Sequence, residues 1–215
     1  MSDRAPGILA RGPWAPEDVS VRWDDAPYAA SPEAEAAADA TLVELAERGS
    51  PTHDGMAARM SALQVGDGGM DLVCQPMRWS LRLGDDAADS LSALCVVRDE
   101  AGRWLAGRRA AWVASWPGRW ALGAGGAVEV GENPVDTLTR ELDEEWQLTP
   151  TWTTVEALVR LPNGIAMLVG QATVPDDAAP VIDPEHDEFA WWPPDPEAWP
   201  EEADWRLRRM GALLA

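Results

Sequence analysis

The sequence predicts a mixed α/β protein of the α+β kind, and three observations predict it. Apolar stretches of strand length fall on both sides of one acidic, well-capped helix; a second patterned helix closes the chain; and a small strand-helix-hairpin unit, βαββ, comes first.

In the first unit, residues 20–23 suggest a short strand. Ser31-Pro32-Glu33 opens a helix running to about Arg48, with serine as the cap, proline at its first position and Gly49 as its stop. Residues 56–65 and 70–79 flank Asp67-Gly68-Gly69 and read as a β-hairpin. The short acidic stretch 84–89 marks a boundary, which gives an N-terminal unit over residues 1–88 and a larger domain over residues 89–215. The first unit has too thin a core to stand alone and is expected to pack on the second.

In the larger domain residues 91–97 form an apolar strand, and residues 103–109 alternate enough to pair with it across residues 99–102. Asn133 caps a helix, Pro134 suits its first position, and Val135, Leu138, Leu142 and Trp146 recur at spacings of three and four to give one buried face. Residues 153–161 and 165–174 read as a hairpin turned by Pro162-Asn163-Gly164, and residues 188–192 as one further strand. Pro200 begins the closing helix, with Glu201, Glu202 and Asp204 early and Arg206, Arg208 and Arg209 late, as the macrodipole prefers. Ala203, Leu207, Met210 and Leu214 are its buried stripe.

The chemistry is concentrated in the capped helix. Glu141, Glu144 and Glu145 stand at i, i+3 and i+4, about 5–6 Å apart at Cβ, and project together. Carboxylates so close raise each other's pKa unless a cation sits among them, and hard divalent ions such as Mg²⁺ take oxygen ligands while leaving room for water and substrate phosphate. The bland alternative is a solvated acidic face. Just upstream, Gly123, Gly125 and Gly126 permit close backbone approach.

Gly126, Glu132, Arg140, Glu141, Leu142, Glu144, Glu145 and Leu148 resemble the Nudix box, G-x5-E-x7-R-E-U-x-E-E-x-G-U, over residues 126–148. The one departure is Gln147 in place of glycine. Six fixed residues at ordinary usage coincide by accident on the order of 10⁻⁵ times per chain of this length. The resemblance implies an α/β/α sandwich with a mixed sheet between helices, and Mg²⁺-dependent cleavage of the diphosphate bond of a nucleoside diphosphate linked to another group, with Mn²⁺ able to substitute. It implies that Glu141, Glu144 and Glu145 hold metal, with Glu129 or Glu132 as further candidates. Arg140 would orient the glutamates, and the glycine loop would supply backbone contacts at Gly125. A glutamate in the downstream loop often acts in the family as base or extra ligand, which makes Glu188 and Glu185 candidates. A second reading on the same fold is a catalytically silent nucleotide-binding or regulatory module. The helix, Asp-Gly turn and hairpin ahead of the box also resemble, without a sharp motif, the UDP-sugar-cleaving members that carry an N-terminal extension.

Outside the box, Arg108 and Arg109 offer paired donors to a diphosphate or are a solvated strand end. Trp112, Trp116 and Trp120 stand just before the glycine loop. Trp116 and Trp120 are candidates to stack a base or sugar, the competing reading being that they fill the core. His186 lies between Glu185 and Asp187, and His53 beside Asp54; two histidines and two scattered cysteines make no persuasive zinc site.

Composition bounds the rest. The 215 residues are 46% apolar and 25% charged, as in a globular protein, and the net charge of -20 argues against nonspecific binding of nucleic acid. Lysine is absent and all 17 basic residues are arginine, so no lysine serves catalysis. Cys74 and Cys95 lack metal spacing and are expected as buried free thiols. No apolar run follows residues 1–4 and none reaches membrane-spanning length, so a cytoplasmic protein with no membrane partner is expected. The expected partner is a small nucleoside diphosphate derivative, and because family members are often dimers the resemblance also admits a homodimer.

Overall fold

The apolar run starting at Leu91 becomes the inner strand of the larger of two sheets. The structure, a computed structural model, describes residues 5–50 and 54–215. His53 and residues 1–4, on which part of the sequence reading rests, lie outside the described residues. In chain order the elements are β1 (Gly7–Trp14), β2 (Val19–Trp23), α1 (Pro32–Glu47), β3 (Met56–Gly66) and β4 (Gly69–Arg78), then β5 (Leu91–Asp99), β6 (Trp104–Arg109), β7 (Trp120–Leu122) and β8 (Ala124–Ala127). They continue with α2 (Pro134–Trp146), β9 (Trp152–Arg160), β10 (Ala166–Val174), β11 (His186–Trp192) and α3 (Trp205–Leu214).

The large sheet runs β1-β9-β10-β5-β6-β11, with β8 paired to β5 and β7 to β6. It is mixed, since β10 and β5 are parallel while the other pairs are antiparallel. Alternation along β5 sends Leu91, Ala93, Cys95 and Val97 into one core with Leu138, Leu142 and Trp146 of α2. Val96 turns to the opposite core with Leu207 of α3. The α/β/α sandwich follows directly from that strand period set against two amphipathic helices.

Ser31 caps α1 by accepting from the Ala34 N–H, and Gly49 follows it at φ 76°, as its sequence signals predict. The β2-β4-β3 sheet realises the βαββ pattern, with β2 parallel to β4. Its Ala58, Met60, Met70 and Leu72 enter the same core as α2. The contact continues through the backbone: Ala58 N–H donates to the Val128 carbonyl and Met60 N–H to that of Asp89. Cys74 and Cys95 are both buried and free. Among the described residues no helix is long and apolar enough to cross a membrane.

Four differences from the sequence reading have physical causes. Strand β1, absent from that reading, pairs with β9 at the sheet edge, and its alternation is broken by register shifts and by Gly12-Pro13. The expected β5-β6 hairpin closes only at Arg98 and Trp104, because β8 takes the free edge of β5 and β7 that of β6. The stretch read as a glycine loop is therefore two short strands. The last helix starts later than Pro200: Asp204 caps it by accepting from the Arg206 and Leu207 N–H groups, which leaves Glu201 and Glu202 in the preceding turn.

Candidate functional site

The crossing from β7 to β8 places the site. Gly123 changes the partner strand from β6 to β5 at φ 64°, and a Cβ there would fall 1.8 Å from the Cys95 carbonyl oxygen, so only glycine fits. Trp146 Nε1 donates to the Gly123 carbonyl at 3.0 Å, fixing the last turn of α2 against this crossing. At the other end of the helix Asn133 Oδ1 caps the Val135 N–H at 3.0 Å, and its Nδ2 donates to the Val19 carbonyl at 3.0 Å. The helix is thereby pinned to the small N-terminal sheet as well.

Of the three clustered glutamates, Glu141 and Glu145 are buried, at 9% and 5% exposure. The Glu144 side chain is 58% exposed. Glu145 Oε1 accepts from the Gly125 N–H at 3.2 Å, and the Glu141 carboxylate lies against the Cα of Gly126. Burial pushes Glu141 up to about 7, against the pull of Arg140 and with Glu144 and Glu185 adding to the rise. Glu145 is raised well above the carboxylate range, again by burial first, with Arg109 opposing and Glu141 and Glu185 adding. Mutual repulsion, the reason anticipated from the spacing, is thus secondary to removal from water.

Arg140 organises the outer side. Its Nη1 donates to Glu141 at 2.7 Å and Glu144 at 3.1 Å, its Nε to Glu132 at 2.9 Å, and its Nη2 to the Ala127 carbonyl at 3.1 Å. Glu132 also accepts from the Glu129 N–H at 3.0 Å and the Thr137 hydroxyl at 2.7 Å. Burial alone would raise Glu132, but these donors outweigh it and hold its carboxyl below the usual range. A single planar fork is shared among three carboxylates and a carbonyl, a task lysine's point charge does not match. Among the described residues no three carboxylate, imidazole or thiolate groups converge closely enough to close a metal shell by themselves.

A family model described as the NUDIX domain matches residues 89–214, more than half of the chain. The chain belongs to the Nudix family. No curated protein sequence matches it. Among solved structures it is similar to the MutT protein of Methanosarcina mazei Go1, at 25% identity over 47% of this chain and 74% of that one, with a TM-score of 0.39. It is similar also to the NUDIX domain of Shewanella oneidensis NrtR complexed with ADP ribose, at 20% identity over 58% and 87%, TM-score 0.46. A third is a C. elegans Ap4A hydrolase in a binary complex, at 23% identity over 57% and 92%, TM-score 0.41.

Gln147, where the Nudix box has glycine, adopts φ 52° and ψ 39° and ends α2 in the left-handed conformation that glycine favours. The turn leaves the last carbonyls of the helix free. Glu145 and Trp146 accept there from the N–H groups of Asp183 and Val181, at 3.2 and 2.9 Å, which hangs the downstream segment beside the buried glutamates. That segment brings Glu185 to 2.9 Å from Arg109 Nη2, while Arg109 Nη1 is 3.9 Å from Glu145. His186 is buried, with Nδ1 3.0 Å from Asp183, Nε2 3.8 Å from Glu145 and its ring on Trp146 at 4.5 Å between centroids. Its pKa is lowered by burial, which outweighs the Asp183 bond.

The other candidates lie farther out. Glu188 stands opposite Arg108 in the β11-β6 pair, with Arg108 Nε 3.2 Å from its carboxylate. Glu185, not Glu188, therefore faces the buried pair. Trp116 is 45% exposed at φ 56°, with the Arg119 guanidinium 5.9 Å from its ring. Trp120 is tilted on Trp192 at 5.4 Å in the core under α3, the face of the sheet away from Glu141, so there the core-filling reading describes its surroundings.

Sequence reasoning missed Arg82. It sits on a 3-10 turn (Trp79–Leu83) between β4 and β5, and its Nη2 donates to the Ser92 hydroxyl at 2.6 Å. Burial lowers its pKa to about 10, with the charge of Glu141 pulling the other way. No motif spacing reaches it, because β5 alone brings the turn to the carboxylates.

Proposed function

We propose that this chain is a Mg²⁺-dependent Nudix hydrolase, with Mn²⁺ able to substitute, that cleaves the diphosphate bond of a nucleoside diphosphate linked to another group, acting in the cytoplasm. The observation that carries the reading is the pair Glu141 and Glu145: two buried carboxyl groups one turn apart, beneath the Gly125-Gly126 backbone, both with raised pKa. Buried anions demand a cation, and a hard oxygen donor set suits Mg²⁺. That ion needs only one or two carboxylates and completes its shell with water and phosphate, so a closed protein cage is not required. Glu141, Glu144 and Glu145 would hold it, with the Gly125 backbone alongside.

When bound, the ion supplies positive charge to the diphosphate oxygens and acidifies a coordinated water. The chain's own residues do the rest. Arg140 keeps Glu141 and Glu144 oriented through its bonds to both. Arg109 flanks the carboxylates and presents planar donors to phosphate oxygens, whereas Arg108, paired with Glu188, alternates to the α3 side of β6 with Trp104 and Ala106. Glu185, at the edge of the buried pair and closer to it than Glu188, is the better placed of the two to take a proton from water. Trp116 offers an exposed ring for a base.

Chromatographic detection of nucleoside monophosphate formed from UDP-sugars, ADP-ribose, dinucleotides and nucleoside triphosphates, with Mg²⁺ or Mn²⁺, tests the proposal. We expect turnover of at least one class, and a loss of roughly 10²-fold or more in Glu145→Gln with the fold intact by circular dichroism. Binding of these compounds without turnover by the wild type would establish the silent module instead, and a fully active Glu145→Gln would overturn the site.

A further inference from the structure

The outer face of the large sheet is wider than the helix that covers it. Helix α3 has 10 residues, about 15 Å of length, and packs on Val96, Trp104 and Trp192 over the β5-β6-β11 side. Strand β1 widens the opposite end beyond its reach. Between α3 and the β1-β9-β10 end there remains a groove of about 340 Å³. Its floor is Leu94, Val159, Met167 and Val169, brought to one face by the two-residue period of β5, β9 and β10. Trp205, Met210 and Leu213 form the helix wall. The register shift in β1 puts Ile8 and Arg11, three residues apart, on this same face, where an unbroken strand would separate them.

The rim is basic in a chain of net charge -20. Arg11, Arg206 and Arg209 line it against the single carboxylate of Glu156. Arg206 lies 3.8 Å from Asp204 and over the ring of Trp205. Among the described residues the side chains of Arg11 and Arg209 have neither an ion pair nor a hydrogen bond, whereas most of the other described arginines do. An acidic protein that leaves two guanidiniums unpaired beside an apolar trough has local charge complementary to an anion with an apolar body.

We propose that this groove is a second binding site, separate from the Glu141-Glu145 site and on the other face of the sheet, for a small amphipathic anion: an aliphatic or aromatic carboxylate whose body lies on Val159 and Met167 and whose head meets Arg11 and Arg209. At about 340 Å³ the groove is at the small end of the range for ligand pockets, so a body on the order of ten heavy atoms fits. The proposal does not rest on the hydrolase reading.

Titration calorimetry of the full chain with decanoate, decanol and decylammonium tests it. We expect decanoate to bind about tenfold more tightly than decanol, and decylammonium not at all. An Arg11→Gln/Arg209→Gln double variant changes only exposed side chains; it should bring decanoate down to the decanol level and leave decanol unchanged. Val159→Trp should fill the floor and abolish binding of both, with circular dichroism checking the fold. Equal affinity for decanoate and decanol, or a double variant that binds decanoate like the wild type, would overturn the proposal. So would sedimentation equilibrium showing a dimer that Leu213→Asp dissociates, because the groove would then be an interface between copies.

Discussion

Gly126 and the Glu141 carboxylate occupy adjoining space: a Cβ on residue 126 would lie 2.1 Å from Glu141 Oε1 and 2.6 Å from Oε2. The first residue of the box is therefore glycine because a glutamate fifteen positions on packs on its bare Cα, as the closeness of those atoms requires. What a methyl group would strike is the end of a side chain, not backbone, so the carboxylate moves and the fold survives.

Gly126→Ala should accordingly separate binding from stability. Displacing Glu141 breaks its 2.7 Å bond to Arg140, and loss of such support commonly lowers metal affinity about 10–100-fold. Calorimetric titration with Mn²⁺ should register that loss while the melting temperature moves little. Unchanged Mn²⁺ affinity would mean that Glu141 is not a ligand.

The raised carboxyl groups set a pH dependence whose sign is fixed. Burial lifts Glu141 to about 7 from its ordinary 4.5, and lifts Glu145 well above that ordinary value. Between those limits the folded chain holds protons that the unfolded chain has released. Their stabilising contribution is complete below the ordinary carboxylate pKa and is lost as pH rises through about 7. His186, lowered from 6.5, acts in the opposite sense below that value, so the window from about 6.5 to about 8 isolates the glutamates. Scanning calorimetry in a chelator should give a melting temperature that falls across this window in the wild type and falls less in Glu141→Gln. Since ligands bind metal deprotonated, Mg²⁺ affinity should rise over the same range. A wild-type slope equal to that of the variant would contradict the assignment.

Where chemistry and periodicity act locally, the sequence was legible. Asn133, Pro134 and the Val135, Leu138, Leu142, Trp146 stripe placed α2, and the turn residues Asp67-Gly68 and Asn163-Gly164 placed two hairpins. What depends on distant partners was not. Strand β1 has a broken alternation and a partner, β9, near the other end of the chain. Helical spacing puts Glu141, Glu144 and Glu145 on one side, yet only the position of β8 decides that two are buried and one is not. Trp120 and Trp116 look alike in sequence, four residues apart, but β7 turns the first into the α3 core while the second sits on an exposed loop.

Arg82 should act on the carboxylates through charge. Its guanidinium, held by the 2.6 Å bond to Ser92, feels the charge of Glu141, and by the same attraction it favours the ionised form of that carboxyl. Arg82→Gln removes the charge and retains a donor for Ser92. Glu141 should then titrate higher, and Mn²⁺ affinity near neutral pH should fall, with recovery at more alkaline pH. Titrations at two pH values measure this directly. An equal loss at both would assign Arg82 a purely structural part.

Gln147 supplies a test in which stability and binding should part the other way. A residue with a Cβ at φ 52° and ψ 39° is strained by about 1 kcal/mol relative to glycine. The strain persists because the turn does two jobs: it brings the Leu148 N–H back to the Leu142 carbonyl at 3.5 Å, and it frees the Glu145 and Trp146 carbonyls for Asp183 and Val181. Gln147→Gly keeps the left-handed turn and every one of those backbone bonds. It gives back some of the gain through the greater freedom of glycine in the unfolded chain, a loss of about 0.4–1 kcal/mol. The net expectation is a melting temperature equal to or modestly above the wild type, with Mn²⁺ affinity unchanged because Glu145 and the Asp183 segment stay where they are. Gln147→Val is the informative contrast, since a β-branched residue tolerates that conformation least. The helix end should then unwind, and the Glu145-to-Asp183 bond should be lost with it. Denaturant unfolding should show a drop for the valine variant larger than any change for glycine, accompanied by weaker Mn²⁺ binding. If valine and glycine proved equally stable, the left-handed end of α2 would have to be abandoned.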